Sequence, residues 1–260
     1  MEIILDNAKY VSNNMNESLI NVSYTFKNSI TFCSGIKGII IKELLFMEKK
    51  LESGYILLSN RGYKYDVSYL SNNKEIFNKE CLYDELLYLN KYYNFNYENV
   101  EDRIDNALKI ANVSNSLLTK KFEVMSNTEI KICRLVISLF INSKIIILDN
   151  FEKNLSYKYM EYIKKLVIKL NKSYNKTIII FSDDLDCYLK IIEDIVIFKK
   201  GKVVFKGNKN NLYDNSLYKY IDKPKIIEFI NYLDDNGHKF DNYLDLKELL
   251  KAIYRDVENK

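Results

Sequence analysis

The spacing of apolar and polar side chains changes along the chain. Residues 2–26 alternate only in part, as in Glu2-Ile3-Ile4-Leu5 and Leu19-Ile20-Asn21-Val22-Ser23-Tyr24. This period predicts antiparallel strands joined by a hairpin near residues 12–17. Residues 29–33 predict another strand. It is followed by Ser34-Gly35-Ile36-Lys37-Gly38 and a helix bearing Ile39, Ile40, Ile41, Leu44, Leu45 and Met47. Residues 54–58 and 66–70 predict short strands. From residue 81 to 141 the period is helical, with Leu82 and Leu89 on one helix. Ile104 and Leu108 mark a second, and Leu135 and Leu139 a third. This predicts an all-helical insertion between strands.

After residue 143 strands and helices alternate again. Lys144-Ile145-Ile146-Ile147-Leu148-Asp149-Asn150 is an apolar run ending in an acid. So short a run predicts a strand buried on both faces of a parallel sheet. Open α/β sheets bind ligands outside the carboxyl ends of their strands, where Asp149 would stand. Taken alone, it reads first as a strand ending in a turn-forming Asp-Asn pair. A helix over 156–173 follows, with Met160, Ile163, Val167 and Leu170 at helical spacing. Strand 177–181, a short helix, strand 194–198, a hairpin at 199–202 and strand 203–205 complete the series. Two amphipathic helices, 223–236 and 244–254, form a C-terminal extension, joined through Asn236-Gly237.

Composition narrows the chemistry. The chain has 260 residues, 47% hydrophobic and 28% charged, which marks a globular protein with a real core. The net charge of +4 is small and interspersed, so it does not point to nucleic acid. Cys33, Cys81, Cys133 and Cys187 form no CxxC pair. They read as buried free thiols in a reducing compartment rather than a zinc site. No apolar run nears the roughly 20 residues of a membrane span. The N-terminus has no basic-then-apolar signal pattern, so the expected location is cytoplasmic. The chain holds 7 glycines, 1 proline and 1 histidine, His238. A phosphate-cradling loop must therefore be built from few glycines, and the core has no histidine for acid–base chemistry.

Residues 29–45 still follow the layout strand, glycine-containing turn, Lys, helix, the layout of a P-loop. There, backbone N–H groups and a helix start bind phosphate oxygens. Together with the antiparallel layer, the helical insertion, the acid-ended strand and the closing hairpin, this order resembles the nucleotide-binding subunit of an ATP-binding-cassette (ABC) transporter. The tail, with Lys223-Pro224-Lys225-Ile226-Ile227-Glu228, Leu233, Gly237 and residues 246–250, most resembles energy-coupling-factor (ECF) ATPases. The resemblance covers nearly the whole chain. It implies an α/β P-loop NTPase core over 1–212, with an antiparallel β layer, a helical subdomain at about 78–143 and a helical extension over 213–260.

The resemblance also places the site residues. Lys37 falls on the phosphate-binding Lys, Gly38 on the Ser/Thr that holds Mg²⁺, and Ser34 and Gly35 in the phosphate loop. That loop is about four residues shorter than the family's. Tyr10 takes the adenine-stacking position, Asn72 that of the Q-loop Gln, and Asp149 that of the metal-binding acid. Asn150 replaces the catalytic Glu and Asp183 the switch His. Met125-Ser126-Asn127-Thr128-Glu129 stands where the family has Leu-Ser-Gly-Gly-Gln. Ser126 and Glu129 also match a capping box.

The implied cofactors are ATP and Mg²⁺. The implied partners are a second ABC ATPase subunit, as homo- or heterodimer, and a transmembrane transporter subunit, with no nucleic acid. The chain would then sit on the inner face of the cell membrane. An amide at 150 orients water but accepts no proton, and general-base help is typically about 10²–10⁴-fold. The expectation is therefore a degenerate cassette subunit of a vitamin or metal uptake transporter, its own hydrolytic site weak or lost. The alternative is a non-hydrolytic scaffold or regulator that keeps the fold for protein contacts.

Overall fold

The computed structural model describes residues 1–59, 64–72, 77–95, 99–240 and 243–258. Residues 96–98 of the expected helical insertion, and 241–242 and 259–260 of the expected extension, lie outside the described residues. In chain order the elements are β1 (Ile3–Tyr10), β2 (Leu19–Phe26), β3 (Ile30–Ser34), α1 (Gly38–Leu45), β4 (Ser53–Leu58) and β5 (Val67–Ser71). Helices α2 (Leu82–Tyr92), α3 (Val100–Ala111), α4 (Ser116–Thr119) and α5 (Asn127–Phe140) follow. Then come β6 (Ile145–Asp149), α6 (Tyr157–Tyr174), β7 (Thr177–Phe181), β8 (Asp194–Lys199) and β9 (Lys202–Asn208). Helices α7 (Lys225–Asp235) and α8 (Leu246–Glu258) close the chain.

The strands form two sheets. A three-stranded antiparallel layer has the order β2-β1-β4, and a six-stranded sheet the order β5-β6-β7-β3-β8-β9. All neighbours in the larger sheet are parallel except β8 and β9. Strands β3, β6 and β7 are buried at every position, as strands covered on both faces must be. Alternate residues serve opposite cores. Ile146, Leu148, Ile178 and Ile180 pack toward the helices α2, α3, α5 and α6. Ile145, Ile147, Ile179 and Phe181 pack toward α1 and the antiparallel layer. The period-two rule then puts Asp149 on the α1 side.

Several expectations change. The short helix between β7 and β8 is a run of turns over 182–192. Asp184 turns the chain there, its carboxylate accepting the Cys187 N–H at 3.1 Å. The expected burial of all four thiols holds for Cys33 and Cys133, whereas Cys81 and Cys187 are half-buried. No helix of the described residues is long and apolar enough to cross a membrane.

Two lysines are buried in this frame. Lys131 Nζ on α5 donates to Phe151 O at 2.7 Å and Lys153 O at 2.5 Å. Lys176 Nζ donates to Asn142 Oδ1 at 3.2 Å and Ser143 O at 2.5 Å. Burial pushes each ammonium down to about 8. In the unfolded chain a lysine titrates near ~10.4. Between these values the unfolded chain binds more protons, so stability rises with pH across that window. Lys176→Met is expected to flatten the rise in urea midpoint between about pH 8 and 9.5. An unchanged slope would contradict the burial cost assigned to Lys176.

Candidate functional site

The carboxyl edge of the parallel sheet gathers the predicted residues. Register aligns Ser71 with Asp149, Asp149 with Phe181, and Phe181 with Cys33. Strand β7 lies between β6 and β3, so α1, which leaves β3, must cross Phe181 to reach Asp149. It does so at Gly38. A Cβ there would stand 2.5 Å from the Phe181 ring and 3.0 Å from Asp149 Oδ2. Only a residue without a side chain lets the helix start lie this close.

Asp149 is buried and fully engaged. Its Oδ2 accepts the Ile39 N–H at 3.1 Å and the Tyr69 hydroxyl at 2.7 Å. Its Oδ1 accepts the Asn150 amide at 3.0 Å. The first turn of a helix offers unpaired N–H groups and a partial positive charge. In α1 that position is taken by the chain's own carboxylate. Asn150 follows at φ 49°, and its N–H donates to Phe181 O at 2.8 Å.

The approach to α1 is equally short. Gly35, Ile36 and Lys37 alone separate β3 from α1. Gly35 adopts φ 79°, and a Cβ there would lie 1.9 Å from Phe198 O. The β1–β2 hairpin folds over this connection. Asn16 O accepts the Lys37 N–H at 3.1 Å, and Lys37 Nζ pairs with Glu17 at 2.6 Å. The Lys37 ammonium holds the Glu17 carboxyl below its usual range. This three-residue connection cannot encircle a phosphate, and Gly38 brings no hydroxyl to a metal. The residues present do not fit a Mg²⁺–nucleotide in the P-loop position.

The other predicted residues also have internal partners. Ser34 Oγ donates to Asp183 Oδ1 at 3.1 Å. Lys49 Nζ lies 5.4 Å from the Tyr10 ring centroid and pairs with Glu43 at 2.9 Å. The Asn72 N–H donates to Asp149 O at 3.2 Å. Lys37, Asn72, Asp149 and Asn150 share one open cavity of about 360 Å³ with Tyr69 and Lys153. Ser34, Tyr10 and Ser126 do not line it.

Ser126 caps α5. Its Oγ accepts the Glu129 N–H at 3.3 Å, and Glu129 Oε2 accepts the Ser126 N–H at 2.8 Å and its hydroxyl at 2.9 Å. Lys120 Nζ binds Glu129 Oε1 at 2.6 Å. Lys120 and the Ser126 amide hold the Glu129 carboxyl down to about 2. Sequence reasoning missed Tyr69, Glu17 and Lys49. Each acts through a contact between elements that adjacent residues do not signal.

No protein-family model matches the chain. The ECF transporter ATP-binding protein EcfA2 of Staphylococcus epidermidis is 28% identical over 141 residues, covering 53% of this chain and 49% of that protein. The chain thus spans about half the length of the curated relatives it matches first. Among solved structures, cbiO1 of Clostridium perfringens, part of the ABC transporter complex cbiONQ, superposes with a TM-score of 0.70 at 18% identity. It covers 97% of this chain and 98% of its own. The cassette MJ0796, as a dimer bound to ADP and Pi, superposes with a TM-score of 0.64 at 17% identity, covering 80% and 98%. The fold is that of ABC ATPase cassettes, with a P-loop NTPase core, and the chain is related in sequence to ABC transporter ATPase subunits, ECF ones among them.

An acid kept for catalysis usually costs stability. An acid that caps a helix adds to it. Asp149→Ala removes the oxygen to which both the Tyr69 hydroxyl and the Ile39 N–H donate, and is expected to destabilise the protein by about 3 kcal/mol. Urea denaturation measures this, and a loss under about 0.5 kcal/mol would show that the carboxylate is not structural.

Proposed function

We propose that this chain is a non-hydrolytic subunit of an ECF-type ABC transporter. It pairs with a second cassette subunit and docks on a transmembrane subunit at the inner face of the membrane. The phosphate position at the start of α1 is taken by the chain's own carboxylate. The observation that carries this reading is the Asp149 carboxylate on the first turn of α1, reached across a three-residue connection. Hydrolysis of a phosphoanhydride needs a phosphate cradle, a metal ligand and a residue that positions the water, all present together. Here the cradle is too short, the metal acid is engaged by three donors, and position 150 holds an amide.

Support for the partners comes from the relatives. EcfA2 is named as a transporter component, cbiO1 as part of a transporter complex, and MJ0796 as a dimer. Exposed apolar side chains on this chain agree with a life among partners. Val124 and Tyr157, next to the α5 start and the turn after β6, are 67% and 75% exposed. The helical subdomain spans about 78–143 and the helical extension 213–260, and the docking groove lies beside Asn72 and the helix near Leu82–Leu89.

Two measurements test the reading. Calorimetric titration of the purified chain with Mg-ATP is expected to show no saturable binding up to millimolar nucleotide. Affinity co-purification from the native cell is expected to recover a second cassette and a membrane subunit. Turnover by the isolated chain that disappears in Asp149→Ala would overturn the proposal. Gly38→Ser, which brings back the family's hydroxyl, is expected to destabilise the protein by about 1–3 kcal/mol through overpacking on Phe181, with no gain of nucleotide binding.

A further inference from the structure

Tyr69 has no counterpart among the motif positions, yet it makes the shortest contact to the site's central acid. In the parallel pairing of β5 and β6, Tyr69 aligns with Ile147 and Ser71 with Asp149. Tyr69 and Asp149 therefore lie on the same face, two residues apart along the strand axis, or about 6.6 Å. A tyrosine side chain is long enough to cover that distance when it leans along the strand. Its hydroxyl then meets Asp149 Oδ2 at 2.7 Å. A Phe would fill the same volume without donating, and a Ser or Thr would fall short.

The same oxygen accepts the Ile39 N–H, so one atom joins β5, β6 and α1. Hydrogen bonds to an ionised acceptor are shorter and roughly twice as strong as neutral ones. We propose that the Tyr69 hydroxyl is an internal bolt. By donating to Asp149 it fixes the carboxylate in the orientation that caps α1, and so holds the helix start closed on the sheet without any ligand. Tyr69 is a positioning residue, acting on α1 through Asp149. The inference rests on the proposed function and names the contact that keeps the carboxylate on the helix start. Gly38 supplies the fit, since any Cβ there would push the helix off Phe181 and stretch the Ile39 contact.

Hydrogen exchange at the Ile39 and Ile40 amides, without nucleotide, tests the bolt. In Tyr69→Phe those amides are expected to exchange about tenfold faster or more, the equivalent of one charge-assisted hydrogen bond. Amides of β8 should keep their wild-type rates. In an Asp149→Ala background the Tyr69→Phe change should add less at Ile39 and Ile40, because the bolt reaches α1 through the carboxylate. Unchanged exchange in Tyr69→Phe would overturn the inference. So would an equal increment with and without Asp149, or a matching rise in β8. Mg-ATP titration of the wild-type protein tests the proposed function separately, so failure of one leaves the other standing.

Discussion

The Asp149 carboxylate is the constraint around which the site end of this molecule is arranged. It is buried at the carboxyl edge of the sheet and must be satisfied there, since an unpaired buried charge is strongly destabilising. The structure satisfies it from three directions: a hydroxyl from β5, an amide N–H from α1 and the Asn150 side chain. Each donor fixes a neighbouring part. Tyr69 ties the sheet edge, Ile39 brings α1 flat across Phe181, and Asn150 starts the turn toward α6. The short β3–α1 connection, the lack of a side chain at Gly38 and the folded-over β1–β2 hairpin all suit this arrangement. They would conflict with a phosphate held in the same place.

Much of the fold was legible from periodicity, because burial on two faces leaves a plain trace. The runs at Ile145–Asp149 and Thr177–Phe181 are apolar at nearly every position and became the sheet's centre. The amphipathic spacing of Met160, Ile163 and Val167 became the buried stripe of α6. The short helix expected between residues 181 and 194 is instead a run of turns. Hydrogen bonds from the Asp184 and Cys187 backbone N–H groups to the Ser182 and Asp184 side chains turn the backbone there. Local side-chain bonds of this kind compete with helix and carry no periodic signal.

The site was legible only as far as it kept its linear motif positions. Lys37, Asn72, Asp149 and Asn150 do converge on one cavity. Their meaning depends on contacts that cross between elements: Tyr69 through strand register, Glu17 through the hairpin, Lys49 through the face of Tyr10. A sequence shows that Gly38 lacks a hydroxyl. It does not show that the helix start lies against Phe181, which follows only from the shortness of Gly35–Lys37 and the position of β7 between β3 and β6.

The two helix starts that would face phosphate are now alike. In α1 the N-terminal charge is met by Asp149, and in α5 by Glu129, held near Ser126 and Lys120. A helix start attracts an anion because its N–H groups lack partners. A carboxylate of the chain itself is always present at high local concentration and needs no loss of translational freedom to bind. A free phosphate must displace it and also overcome its charge. Tyr10 and Lys37 follow the same pattern, each engaged by a side chain of the protein. A fold that meets such groups with its own side chains gains stability without a ligand. What it still offers is the shape of the cassette and the surfaces by which such a subunit meets others.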